Sequence, residues 1–201
     1  KAVLNLAKSE LGLTVNNPFS TTFIPQVGVV KSRSSIADVD IERIQTLCRK
    51  FDDDQRWLIA LISDTGLRLA EAAGLLVSDI NLHCPIPYVD IKPHPWRRLK
   101  TISSARQVPL IGASLWAAQR ICETADGAYA FSRYCSEERT KANSASGALN
   151  KWLHTHIGNQ SVIHSFRHSF RDRLRAVECP SDISDALGGW SAKGIGQRYG
   201  E

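Results

Sequence analysis

From Asp38 onward most of the chain carries apolar residues at the 3.6-residue period of a helix. Ile41, Ile44, Leu47, Cys48 and Phe51 fall on one helical face. Trp57, Leu58, Leu61 and Ile62 mark a second helix that stops at "SDTG", where Gly66 suits a C-terminal cap. "RLAEAAGLL" predicts a third, short helix directly after it. The pattern changes over residues 86–110, "IPYVDIKPHPWRRLKTISSARQVPL", where residues 88–91, 99–102 and 107–110 are short strand-like runs separated by Pro, Ser and basic residues. These predict a small antiparallel sheet carrying a basic hairpin. Helical patterning returns in "SLWAAQRICETA", "SASGALNKWLHTHI", "SVIHSFRHSFRDRLR" and "SDISDAL", with a last helix near "SAKGIGQRY". The expected fold is mainly α with a small antiparallel β-sheet inserted after the third helix. Residues 1–35 read instead as an arm or linker: a short helical pattern in "VLNLAKSELGL" precedes a polar, turn-rich stretch.

The segment 161–175 holds two histidines and four arginines, yet Phe166, Phe170 and Leu174 recur every fourth position. At about 100° per residue, Phe166, Phe170, Leu174 and Val177 share one face, and His164, Arg167, His168, Arg171 and Arg175 form an adjacent stripe of cations. His164 and Arg167, three apart, can converge on one small anion. A solvated basic face is the plainer alternative for an arbitrary helix. His164 and His168 also have the i, i+4 spacing of a zinc motif, but "HSFRH" lacks its glutamate and places cationic Arg167 beside any metal, so no metal site is expected.

Composition narrows the class only a little. With 201 residues, 43% hydrophobic and 22% charged, the chain has the make-up of one globular domain, or a domain plus an arm. No apolar run approaches a membrane span and the start has no signal-peptide core, so a cytoplasmic protein with no membrane partner is expected. Five scattered cysteines without a C-x-x-C pair support neither a disulfide framework nor a cysteine zinc site. A formal charge of +5 leans toward a polyanionic partner. A chain that starts at Lys1 and has no methionine reads as a piece of a longer protein.

Four stretches together resemble the tyrosine recombinase, or phage integrase, family. "TGLRLAE" resembles its first arginine box, with Arg68 at a helix start and Glu71 one turn on. "LKTISSARQVPL" resembles its strand pair, with Lys100 at the lysine position. His164 and Arg167 supply H-x-x-R, and "LGGWSAKGIGQRYG" resembles the segment that usually reads L-G-H, followed nine residues later by the nucleophilic tyrosine. Here Trp190 stands at the histidine position and Tyr199 follows. Trp190 can donate a hydrogen bond but cannot shuttle a proton. The resemblance covers about residue 36 onward. It implies a recombinase catalytic domain at 36–201, with residues 1–35 the linker from a core-binding domain that is not in the sequence.

The family's chemistry explains these residue types. A phosphodiester gains charge as a fifth oxygen approaches phosphorus, so catalysis rests on positioning and electrostatic stabilisation. The resemblance makes Arg68 and Arg167 a bidentate clamp on the phosphate, Tyr199 the nucleophile, Lys100 the general acid and His164 a base or hydrogen-bond donor. No metal, ATP or other cofactor is expected. Arg97, Arg98, Arg106, Arg171 and Arg175 are the expected contacts to double-stranded DNA. Tyr88, Tyr129 and Tyr134 rank behind Tyr199 because none follows the Trp190 segment.

Plainer readings exist for each residue singly: an Arg68–Glu71 surface pair, a hairpin that only grips phosphates, Trp190 as core. The expected function is site-specific recombination, with integration into DNA by a phage or other mobile element. A homotetramer is expected on DNA for the full-length protein and a monomer for this piece. A strand-passing enzyme of the type IB topoisomerase kind and a DNA-binding regulator that no longer cuts are the alternatives.

Overall fold

The computed structural model describes residues 2–12, 14, 16–18, 20–21 and 35–190. The chain divides into two compact units, Lys1–Ser32 and Arg33–Glu201. The first contains helix α1 (Ala2–Leu11), followed by Gly12 in the left-handed region, and Asn17 donates to the Asn5 side chain at 2.7 Å.

The second unit is built around helix α3 (Asp54–Thr65), in which every residue from Leu58 to Ser63 is buried. Asp53 caps its N-terminus by accepting from the Arg56 amide at 3.1 Å, and Gly66 closes its C-terminus with φ +61°. Helix α2 (Asp38–Phe51) lays Ile41, Ile44 and Cys48 against it, while Phe51 at its end is half exposed. Short helix α4 (Leu69–Ala73) follows Gly66, and α5 (Gly112–Thr124), α6 (Ala142–Ile157), α7 (Ser165–Ala176) and α8 (Ser181–Gly188) complete the helices of the described residues. Helices α2, α5 and α7 all pack on α3, so the box after Gly66 emerges from the centre of the core.

The sheet is antiparallel with order β1 (Ile80–Asn81), β2 (Tyr88–Ile91), β3 (Arg106–Pro109). Val89 opposes Val108 and Ile91 opposes Arg106, so the alternate residues Val89, Ile91 and Val108 enter the core. The expected strand over 99–102 is absent. Residues 92–105 form a connection with a bridge between His94 and Arg97 and a short 3-10 turn at Ile102–Ser104. β1 and the segment 125–141, which has no periodic pattern, were not predicted. That segment is held through backbone bonds from Val77 to Ala128 and from Ala130 to Leu75. No helix of the described residues is long and apolar enough to cross a membrane.

Candidate active site

Gly66 lets the chain turn from α3 into α4, and Arg68 becomes the residue at the α4 N-terminus. Its backbone amide donates to Glu71 Oε2 at 3.0 Å, and its Nη1 reaches Glu71 Oε1 at 2.5 Å. Glu71 is nearly fully buried, so the plain surface-pair reading does not describe this contact. Arg68 Nη1 also donates to Ser104 Oγ at 3.0 Å, and Nη2 lies 3.4 Å from the Gly189 carbonyl.

The connection 92–105 wraps over α4. Its end is fastened by Arg106, whose Nη2 pairs with Glu71 Oε2 at 3.1 Å. Its base is fastened by Arg97, which donates to the carbonyls of Glu71 and Lys92. Nearby, the fully buried Asp79 forms an ion pair with Lys92 at 2.9 Å and a hydrogen bond with His94 at 2.8 Å. Arg97 is 2% exposed, and its guanidinium is spent on backbone carbonyls. The expectation that Arg97 and Arg106 present a free basic surface is therefore corrected: both point inward, and Lys100 and Arg98 remain as exposed cations of this connection.

Helix α7 buries Phe166 and Phe170 as expected, but Val177 lies beyond its end and is 74% exposed. Arg167, placed by periodicity on the cationic stripe, is only 5% exposed. Its Nη1 donates to the Gly66 carbonyl at 2.8 Å and its Nη2 to the Gly188 carbonyl. Arg68 and Arg167 thus meet at consecutive carbonyls of the Gly188–Gly189 turn. Trp190 follows that turn and lies under both Arg167 and Arg171, whose guanidinium carbons are 4.6 and 4.9 Å from the ring centre. Arg171 is also 3.7 Å from Asp185, and Arg175 is exposed and 3.3 Å from Asp172. His164 is exposed at the head of α7, its ring 5.3 Å from that of His168 and edge-on to it. Tyr199 and the predicted helix around it lie outside the described residues. The competing tyrosines have other surroundings: Tyr134 is buried with its hydroxyl on Gln55, Tyr129 packs edge-on against Trp96, and Tyr88 sits on β2.

Burial by itself would raise the Glu71 carboxyl, but the Arg106 charge and hydrogen bonds from Arg68 and Arg106 outweigh it and hold the group below its ordinary value. Desolvation and the neighbouring charges of Arg68, Arg106 and Arg171 push Arg167 down to about 10, against a partly compensating pull from Glu71. It remains a cation at neutral pH. Among the described residues Arg68, Arg106 and Arg167 carry more positive charge than Glu71 balances, and an incoming anion would relieve the excess. Sequence reasoning missed Ser104, Asp79 and His94; a serine in "TISSAR" or an aspartate in "VSDI" has no local signal of its three-dimensional partner.

Comparison with known proteins gives a family and a fold. The model of the phage integrase family matches residues 35–201. The fold is similar to that of the Tn1549 transposon integrase in complex with transposon right end DNA, with TM-score 0.66 and 17% identity over 96% of this chain and 69% of that one. It is also similar to XerH site-specific recombinase bound to difH substrate in a pre-cleavage complex, with TM-score 0.64 and 17% identity over 95% and 57% of the two chains. XerA recombinase gives TM-score 0.61 and 16% identity over 95% and 65%. At these identities the likeness is one of fold. Curated protein sequences give no match.

Proposed function

Because the chain belongs to the phage integrase family, we propose that it carries the catalytic domain of a site-specific recombinase that cuts and rejoins double-stranded DNA through a 3′-phosphotyrosine. The observation that carries this reading is the meeting of Arg68 and Arg167 from distant parts of the chain at one glycine turn, beside Trp190. Two guanidinium groups held that way suit the non-bridging oxygens of one phosphate, where each forks bidentately and stabilises the charge that grows in the transition state. They take the role a metal would otherwise fill, and the reaction needs no ATP because the phosphotyrosine conserves the phosphoester.

In this reading Tyr199 attacks phosphorus and displaces the 5′-oxygen. A phenol with a pKa of about 10 serves both as nucleophile and, in the reverse step, as leaving group. Lys100, exposed on the connection, gives its proton to the departing 5′-oxygen. His164 assists at the phosphoryl group, and Trp190 holds the arginines by its ring face and offers its indole N–H. Arg98, Arg171 and Arg175 are the exposed or half-exposed cations left to contact the DNA backbone. Residues 1–35 join the domain to a core-binding domain, four protomers assemble on two duplexes, and the protein works in the cytoplasm at the nucleoid.

The test is a nicked suicide substrate of the attachment site, offered to the full-length protein and read on denaturing gels and by mass spectrometry. A covalent DNA adduct at Tyr199, lost in Tyr199→Phe, is the expected result. DNA that is bound but never attached would replace this reading with that of a regulator that no longer cuts.

A further inference from the structure

Arg106 lies one residue past the connection that carries Lys100, and its side chain is only 6% exposed. Its Nε donates to the Leu187 carbonyl at 2.8 Å, its Nη1 to the Ser104 carbonyl at 2.7 Å and its Nη2 to Glu71 Oε2 at 3.1 Å. One rigid, planar fork therefore sets three pieces of chain against each other: α4, the connection 92–105, and the end of α8.

Each of those pieces holds Arg68. Glu71 takes the Arg68 guanidinium on its other oxygen, Ser104 accepts from Arg68 Nη1, and the Gly189 carbonyl lies beside Arg68 Nη2. Gly189 passes so near that a Cβ there would be 2.7 Å from Arg106 Nη1, and its φ of +60° also favours glycine. The turn of Gly188 and Gly189 leads in sequence through Trp190 toward Tyr199.

We propose that Arg106 is a positioning residue for strand transfer: it acts through Glu71 and the Leu187–Gly189 turn to hold Arg68 in register with the Trp190 segment, and does not itself bind DNA. The proposal rests on the recombinase reading given above. Its signature is separable from mere stability, because Arg106 also keeps Glu71 ionised. Glu71 is faced by Arg68 from its own helix, Arg106 from β3 and Arg167 from α7. With Arg106 gone, a buried carboxylate loses the cation that lowers it most and takes up a proton more readily.

The experiment uses the full-length protein and fluorescent nicked duplexes tiled across the DNA flanking its own gene. Adduct formation is timed at saturating DNA, and affinity is measured against salt, for the unsubstituted protein, Arg106→Gln, Arg106→Lys and Tyr199→Phe. Arg106→Gln is expected to slow attachment up to about a hundredfold while leaving affinity and its salt slope unchanged. Its rate is expected to fall more steeply toward mildly acidic pH than the unsubstituted rate does. Arg106→Lys keeps a charge beside Glu71 but not the three-way fork, so it is expected to be slow at all pH values without the extra acid loss. It carries the test if Arg106→Gln fails to fold by thermal melting. An unsubstituted attachment rate in the variants, or weaker binding with a salt slope smaller by about one phosphate contact, overturns the proposal. An equal loss at every pH in Arg106→Gln overturns the action through Glu71. Failure of the unsubstituted protein to attach any duplex overturns the recombinase reading itself, and the proposal with it.

Discussion

Gly66 sits at φ +61°, and a Cβ there would come within 2.6 Å of the Phe170 ring. A left-handed alanine costs about 1–2 kcal/mol, and forcing apart a packed contact adds about 1–3 kcal/mol. Gly66→Ala is therefore expected to lower stability by about 2–5 kcal/mol, read as a reduced urea midpoint with unchanged slope; a loss within about 0.5 kcal/mol would show that the turn relaxes freely. The same turn supplies the carbonyl that receives Arg167, so its disturbance is felt at the site. At this scale Arg68, Glu71 and Arg167 were legible as types in a spacing. That Arg167 is buried was not, because helical periodicity tells which residues share a face and not which neighbour covers it.

The connection 92–105 is the element on which expectation and structure part most. A basic, Ser-rich stretch between two strands suggested a hairpin with a third strand-like run. Instead the chain is pinned by inward arginines and by Asp79, and backbone pairing gives way to side-chain bonds to carbonyls. Arg97 and Arg98 are neighbours with opposite assignments. Arg97→Met is expected to cost about 1–3 kcal/mol because it leaves buried carbonyls without donors. Arg98→Met is expected to stay within about 0.5 kcal/mol while weakening DNA binding. Parallel denaturation and binding curves decide it, and the reverse pattern would return Arg97 to the surface role that composition suggested. Helix α7 shows the opposite case: its Phe166 and Phe170 face followed from spacing alone, because a continuous helix carries its own geometry.

For the molecule as a whole, the buried carboxylates tie the site to acid stability. Glu71 and Asp79 are both held below their ordinary values in spite of burial, Glu71 by the Arg106 charge and the Arg68 bonds, and Asp79 by the Leu76 amide, Lys92 and His94. A carboxyl depressed on folding contributes stability that is fully present above its unfolded pKa, about 4, and is lost as pH falls through its native value. Urea midpoints measured from neutral pH downward are expected to hold steady until the ordinary carboxylate range and then fall. Glu71→Gln is expected to start lower at neutral pH and to show a shallower acid decline; an unchanged slope would mean that Glu71 is not depressed.

The sequence by itself determined the helical framework, the existence of the sheet and the family, because amphipathic periods, a capping glycine and four ordered motifs are local signals. The tertiary structure alone decided which cations are exposed and which are braces. Arg97, Arg106 and Arg167 look like Arg98 and Arg175 in composition and in neighbouring residues. What separates them is the partner each guanidinium meets: carbonyls and a carboxylate brought from remote segments by the packing of α3, α4, α7 and α8. Burial and charge pairing depend on that convergence, and no short stretch of chain encodes it.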